Sequence, residues 1–258
     1  MNRLPISVCM VSGAEAQRIG RALESVAAWA SEIIVVLNAE VNDGTEEIAA
    51  RYGAKVFREP WKGFVGQKNS AAAKASHPWL FNLDADEMVS PALVEELSQV
   101  VPTGNASPAA YEFPRCSFYC GRWIRHGDWY PDRVLRLWLR EKGRWIGDEP
   151  HARLEVGGTV GRLRSDLLHY SNESIAGQIA KIAPYHAETV RRRVAAGAPT
   201  GVFQFAVRPG WRFLRAYFFR LGFLDGWQGF YIAALSSFST LTRHALVREA
   251  QDQKGRPP

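Results

Sequence analysis

Trp79-Leu80-Phe81-Asn82-Leu83-Asp84-Ala85-Asp86-Glu87 is the stretch on which the fold turns. Residues 79–83 have the apolar content of an interior strand and run directly into a cluster of carboxylates. In open parallel sheets such strands are buried on both faces, and ligands collect at their carboxyl ends. The acids therefore stand where chemistry would stand. Asp84 and Asp86 are two residues apart, so in extended backbone their side chains share a side, and short oxygen ligands of this kind suit a divalent cation bridged to phosphates. A solvated turn before a helix, with Ser90 as cap and Pro91 as first helical residue, accounts for the same spacing. The buried strand ahead of the acids favours a site, because a solvated turn has no need of carboxylates packed at a sheet's end.

Upstream, strand-like runs alternate with helical spacing. Residues 6–11 and 32–37 are apolar runs of strand length, and between them Ile19, Leu23, Val26 and Trp29 recur as on one face of a helix. Asn42-Asp43-Gly44-Thr45 makes a turn in which Asp43 or Thr45 caps a helix through Tyr52. Residues 54–57 supply a third strand, and 66–75 read as a helix with Gln67, Lys68 and Asn69 near its start. This alternation implies an α/β fold with a mostly parallel sheet and right-handed crossovers.

Downstream, a Pro-, Gly- and Ser-rich connection at 102–108 leads into short, aromatic, turn-rich segments that read as antiparallel strands. Arg133-Val134-Leu135-Arg136-Leu137-Trp138 alternates basic and apolar residues, as a strand with one wet face does. Helical spacing returns near Ser174 and predicts helices over about 174–196, 210–224 and 227–247. There is no internal repeat.

The chain has 258 residues and 47% apolar content, enough for one large α/β domain with an appendage. Its net charge of +6 is uneven: residues 191–258 carry 11 Lys and Arg against 3 Asp and Glu, whereas the first 190 carry 21 against 23. Twelve of the 30 aromatics fall between Phe203 and Phe238, inside the basic tail. That mixture suits an anionic membrane surface better than a nucleic-acid groove. Residues 226–242 are uncharged, but these 17 fall short of a membrane span. Three cysteines are too few and too unevenly spaced for a disulfide framework or a tetrahedral metal site, which implies reduced thiols. The amino-terminal residues show no signal-peptide pattern, so the expected location is the cytoplasm, peripheral on the inner face of the plasma membrane.

With these residues laid out, the chain resembles the family 2 glycosyltransferases of GT-A fold, and within them the lipopolysaccharide-core branch that includes heptose-modifying glucosyltransferases. The resemblance is carried in order by residues 6–11, Asp43-Gly44-Thr45, Gln67-Lys68-Asn69, the acidic stretch 83–87, Gly121-Arg122-Trp123-Ile124-Arg125-His126-Gly127-Asp128-Trp129-Tyr130-Pro131-Asp132, Leu168-His169-Tyr170-Ser171, Arg208-Pro209 and residues 222–227. It implies a GT-A-type, Rossmann-like, mostly parallel sheet with an antiparallel acceptor-side region and a helical carboxyl-terminal tail. The corresponding domains are residues 1–172, comprising a nucleotide-sugar half (1–101) and an acceptor half (102–172), and a basic, aromatic helical tail (173–258), whose composition suits either docking on a membrane or packing of its aromatics on the catalytic domain or a second subunit. The implied reaction moves a sugar from a nucleotide-diphosphate donor to a glycan or glycolipid acceptor with inversion. The implied partners include no nucleic acid and leave a homo-oligomer open.

The resemblance also assigns residues. Ser12, Glu15, Asn38, Asp43, Gln67, Lys68, Asn69 and Asp84 fall at donor-binding positions, and Trp123, Arg125, His126, Trp129 and Tyr130 at acceptor-binding ones. Asp84 and Asp86 would hold Mg2+ or Mn2+ against the leaving diphosphate, with His169 as a third ligand or phosphate partner. Inversion needs a base on the far face of the sugar, and the candidates are Asp132, behind a Trp-Tyr-Pro wall, and Glu149. The chain departs from its relatives at Gly13 and Ala14, where a Lys-Asn pair is usual, at Asn38, where Asp is usual, and at Ala152, where Glu often follows a His. These losses leave a second reading open: a catalytically weakened scaffold or binding subunit of the same fold. A sugar nucleotidyltransferase would need a glycine-rich basic phosphate loop after the first strand, and Ser12-Gly13-Ala14-Glu15 does not supply one.

Overall fold

The chain opens with an alternation of strand and helix: β1 (Leu4–Ser12), α1 (Ile19–Ala27), β2 (Ala30–Asn38), α2 (Thr45–Arg51), β3 (Lys55–Glu59), α3 (Gly63–Ala73) and β4 (Trp79–Asn82). The computed structural model describes residues 3–101, 108–147, 152–170 and 174–254. They fall into two units, Met1–Cys116 with Asp132–Tyr170, and Ser117–Pro131 with Ser171–Pro258.

In the first unit, β3, β2, β1 and β4 lie side by side and parallel. Strand β1 is thus paired along both edges, and Ile6, Val8, Cys9 and Met10 are all buried, which is why its apolar run is continuous rather than alternating. Helix α1 lays Ile19, Ala22, Leu23 and Val26 into the core from one face of its 3.6-residue repeat. After β4 the chain turns through Asp84, whose carbonyl accepts the Glu87 N–H at 3.0 Å, and enters β5 (Glu87–Val89). Helix α4 (Pro91–Val100) follows, capped by Ser90 Oγ, which accepts from the Leu93 N–H at 3.2 Å, with Pro91 in the first turn.

The remaining strands are mostly antiparallel. Strands β6 (Ala110–Tyr119), β7 (Arg122–Ile124) and β8 (Asp132–Leu139) follow, and β8 pairs antiparallel with both β4 and β6. Strands β9 (Gly143–Ile146) and β10 (Arg153–Val156) form a separate antiparallel pair, and β11 (Val160–Arg162) lies parallel to β6. Strand β12 (Leu167–His169) pairs antiparallel with β5 and sets His169 opposite Glu87. Phe81 of β4 stacks on Phe113 of β6 in the core, with ring centroids 5.6 Å apart. A mixed α/β fold with a mostly parallel sheet, an antiparallel region and a helical carboxyl-terminal part is what the alternation in the sequence predicts.

In the second unit, β7 pairs with residues 117–119 at the end of β6. Helix α5 (Ile175–Ala195) begins at Ser174, whose Oγ accepts the Gly177 N–H at 3.0 Å. Helix α6 (Arg208–Leu214) is flanked by π-helical turns, Phe203–Val207 and Arg215–Phe219, and a 3-10 turn, Gly222–Asp225, leads into α7 (Gly226–Lys254). Two buried acids tie residues 117–131 to these helices. Asp225 accepts the N–H groups of Arg125 and His126 at 3.0 and 2.7 Å. Asp128 faces Arg212, Arg215 and Arg220 at 2.6, 2.7 and 3.8 Å. Arg212, Arg215 and Arg220 thus converge on a carboxylate of their own unit, while their side chains stay 44%, 38% and 46% exposed. Among the described residues no helix is long and apolar enough to cross a membrane.

Candidate functional site

Parallel register brings the carboxyl ends of β1, β2 and β4 to one end of the sheet, since Ser12 pairs with Leu37 and Cys9 with Asn82. A cavity of about 630 Å³ opens there, lined by Glu15, Asn38, Lys68, Asp84, Asp86 and His169. Trp61 and Phe64 stand on its wall, both exposed, edge to face at 4.9 Å. Gly13 and Ala152 line it too, so with Asn38 three of the departures from the family pattern face this space.

The acids are held by cations of the protein. Arg136 of β8 donates to Asp84 Oδ2 at 2.5 Å and to Glu87 Oε1 at 2.8 Å, while Lys68 Nζ lies 3.4 Å from Asp84 Oδ1. Burial raises the Asp84 carboxyl, but Arg136 and Lys68 outweigh it and hold the group well below the usual carboxylate range. Lys68 is itself pushed down by burial, with Asp84 opposing, and its ammonium sits 4.5 Å over the Trp145 ring. Asp86 turns the other way, to His169, with Oδ2 3.3 Å from Nε2. Burial works against its charge, and His169 outweighs that and lowers the carboxyl. The Asp86 carbonyl accepts the Tyr170 N–H at 2.8 Å, fixing the turn to the end of β12.

Two sequence expectations change here. Asp84 and Asp86 lie in a turn beyond β4 rather than in extended backbone, and they reach one cavity by opposite routes. Arg136, expected on a wet strand face, is 7% exposed and joins the two ends of the acidic stretch.

Other expected residues have local duties. Asp43 accepts the Thr45 N–H and hydroxyl and the Ala16 N–H, which orders the turn ahead of α2. Asn69 exchanges two 2.9 Å hydrogen bonds with the Trp145 backbone and fastens β9 to α3. Ser12 Oγ donates to the Gly13 carbonyl at 3.0 Å, and Gln67 is fully buried. None of these four lines the cavity. Asp132 is absent from its lining as well, and Arg115 grips its Oδ2 with Nε at 2.9 Å and Nη2 at 2.6 Å. Glu149 lies outside the described residues. Trp123, Arg125, His126, Trp129 and Tyr130 belong to the second unit, where His126 Nδ1 meets Asp225 at 3.0 Å and Trp123 packs on Phe118 at 5.1 Å.

The family model for glycosyl transferase family 2 matches residues 7–170, the segment that holds this cavity and its acids. The chain belongs to that family. This family 2 glycosyltransferase is 31% identical over 254 residues to an uncharacterized glycosyltransferase of Rickettsia typhi, across 95% of this chain and 87% of the relative. It is 29% identical over 258 residues to the lipopolysaccharide core biosynthesis glycosyltransferase LpsC of Rhizobium meliloti, across 95% and 94% of the two chains. Among solved structures it is similar to the mannosyltransferase PcManGT from Pyrobaculum calidifontis, in complex with GDP-Man and Mn2+, with TM-score 0.53, 14% identity and coverage of 100% and 78%. It is also similar to S. aureus TarS 1-349 in complex with UDP-GlcNAc, with TM-score 0.51, 14% identity and coverage of 98% and 92%. At these identities the structural likenesses concern the fold, which is that of GT-A glycosyltransferases.

Among the described residues of this family 2 glycosyltransferase, no three His, Cys, Asp or Glu side chains gather into a metal cage. A carboxylate and an imidazole side by side, Asp86 and His169, nonetheless suit a divalent cation that takes its other ligands from phosphates. The donor set fits a metal held jointly with a diphosphate. Sequence reasoning missed Arg136, Glu87 and Arg115, the frame behind the acids. Glu87 was visible in the acidic stretch, but nothing local marks either arginine as its partner.

Proposed function

We propose that the chain is an inverting, divalent-metal-dependent glycosyltransferase that moves a sugar from a nucleoside-diphosphate donor to a lipopolysaccharide-core or related cell-envelope acceptor at the inner membrane face. The observation that carries this reading is the cavity at the strand ends, lined by Asp84, Asp86, Lys68 and His169 together with the Trp61–Phe64 pair. Residues 1–101 supply its donor side, and the kinship with LpsC supports the acceptor class.

In this reading Asp86 and His169 hold Mg2+ or Mn2+, which when bound neutralises charge developing on the leaving diphosphate. The chain's own residues do the rest. Arg136 and Lys68 keep Asp84 ionised and fixed for polar contact with the donor, and Lys68 adds positive charge beside the phosphates. Asn38 presents an amide to the nucleotide, where it both donates and accepts. Trp61 and Phe64 offer faces on which a base or a sugar ring stacks. The acceptor proton goes to Asp132 or Glu149. Arg115 occupies only Oδ2 of Asp132, which leaves Oδ1 to take the proton. Trp123, Arg125, His126, Trp129 and Tyr130 are assigned to the acceptor.

A second reading, a binding subunit with weakened turnover, is favoured by the hold of Arg136 and Lys68 on both oxygens of Asp84. One experiment separates the two. Donor hydrolysis and transfer are followed for UDP-GlcNAc, UDP-glucose and GDP-mannose, with Mn2+ and with chelator. Metal-dependent turnover of any donor supports the enzyme; metal-dependent binding without turnover supports the subunit.

A further inference from the structure

The second unit holds a cavity of about 520 Å³ whose polar side chains on the helices have no part in the reaction above. Its walls come from α5, α6 and α7, with Trp129 beside them. Polar side chains crowd it: Gln178 and His186 from α5, Arg212 from α6, and Ser239 and Arg243 from α7. Gln178 accepts the Tyr119 hydroxyl at 2.8 Å through Oε1, so its NH2 group is left to donate. His186 Nε2 lies 2.8 Å from Ser239 Oγ.

The charges in this space do not balance. Arg212 shares Asp128 with Arg215 and Arg220, so one carboxylate faces three guanidinium groups. Arg243 has no acidic partner among the described residues, and its Nε is buried without a hydrogen-bond acceptor. Burial, followed by the charges of Arg193, Arg212 and Arg208, pushes its guanidinium below the ordinary value. Burial and Arg243 also push the His186 imidazole down, so at neutral pH it offers a hydrogen bond rather than a charge. An unmatched guanidinium edge, a surplus of positive charge and nearby amide and hydroxyl groups complement an anion with several acceptor oxygens. A carboxylate matches one guanidinium edge, whereas a phosphoryl dianion also answers the surplus.

We propose that this cavity is a phosphoryl-binding site, with Arg243 as its principal ligand and Arg212, Ser239 and Gln178 around it. The phosphoryl group comes from a membrane phospholipid or from a phosphorylated soluble ligand. The cavity shares no lining residue with the donor cavity.

The test uses the full chain and inorganic phosphate, titrated against chloride at constant ionic strength with the melting temperature as readout. Phosphate stabilises the wild type and the Lys68→Gln variant, and Arg243→Gln weakens the response at least about tenfold in concentration, the size expected for one charge-assisted hydrogen-bonded ligand. Without phosphate, Arg243→Gln melts at or above the wild-type temperature, because an unpaired charge has left a cluster of like charges; a structural role predicts a lower one. A phosphate response lost in Lys68→Gln places the anion in the donor cavity and overturns the proposal. So does a response retained in Arg243→Gln, or none in the wild type. Co-sedimentation with phosphatidate vesicles against phosphatidylcholine vesicles then names the source. Sedimentation that needs Arg243 indicates the lipid headgroup, and a phosphate response without sedimentation indicates the soluble ligand.

Discussion

Arg136 spans the acidic turn, with one guanidinium nitrogen 2.5 Å from Asp84 and 2.8 Å from Glu87. Its side chain is 8% exposed and that of Glu87 is fully buried, so the charges are matched where water cannot screen them. Asp84 is thereby set in place before any ligand arrives.

Replacing Arg136 by Met leaves the Glu87 charge buried with only Arg115, 3.3 Å away, to answer it. Loss of one partner from a buried pair costs roughly 3–5 kcal/mol. Urea denaturation of Arg136→Met should show a loss of this order, together with loss of donor binding. A change under about 1 kcal/mol would show that Arg136 does not support the turn.

The general base is distinguished by its kinetics. Removing it should lower turnover roughly 10²–10⁴-fold while donor affinity stays near the wild-type value. Asp132→Asn and Glu149→Gln are compared under single-turnover conditions, and one of them should show this pattern. If both keep wild-type turnover, the acceptor side has been misassigned.

Acid lability should trace in part to Glu32. Burial raises this carboxyl, but hydrogen bonds from Lys55, Ser7 and Ser76 outweigh it and bring it from 4.5 to about 2. A folded-state value below the unfolded one gives stability that is complete above about pH 4.5 and lost as pH falls towards 2. Glu32→Gln should therefore be less stable than wild type at pH 7 and converge with it near pH 2. Parallel stability curves over that window would remove Glu32 from the account.

The second unit depends on a close approach at the start of α7. A Cβ at Gly229 would stand 1.9 Å from the Gly222 carbonyl oxygen. Gly229→Ala forces that backbone apart and should cost about 1–3 kcal/mol, typical of overpacking. Thermal unfolding checks this, and an unshifted melting temperature would mean the turn at residues 222–225 yields freely.

The framework of the first unit is legible because its signals are local. Apolar runs at residues 6–11, 32–37 and 79–83 give the parallel strands, and the acids after the last of them stand at the sheet's end. Asn38, Lys68, Asp84, Asp86 and His169 all line the cavity, since strand ends and the face of α3 converge there. Arg136 was illegible because its partners lie 49 and 52 positions away, and basic-apolar alternation reads as a wet face whatever the tertiary partners are. Asp128 pairs with Arg212 and Arg215 from more than 80 positions earlier, a separation across which no local pattern links them. Asp43 and Asn69 carry motif identity, yet in this chain they order a turn and clamp a strand.

The most direct test of the central claim is calorimetric binding of a nucleotide sugar, from a panel of UDP-GlcNAc, UDP-glucose and GDP-mannose, to wild type and Asp86→Asn, each with Mn2+ and with chelator. At least one donor should bind the wild type only with the metal. Asp86→Asn should lose that binding while its own melting temperature holds, because Asp86 lies in a turn at the cavity edge and not in the core. Binding as tight with chelator as with Mn2+, or undiminished in Asp86→Asn, would contradict the assignment of the acidic turn as the donor's metal site.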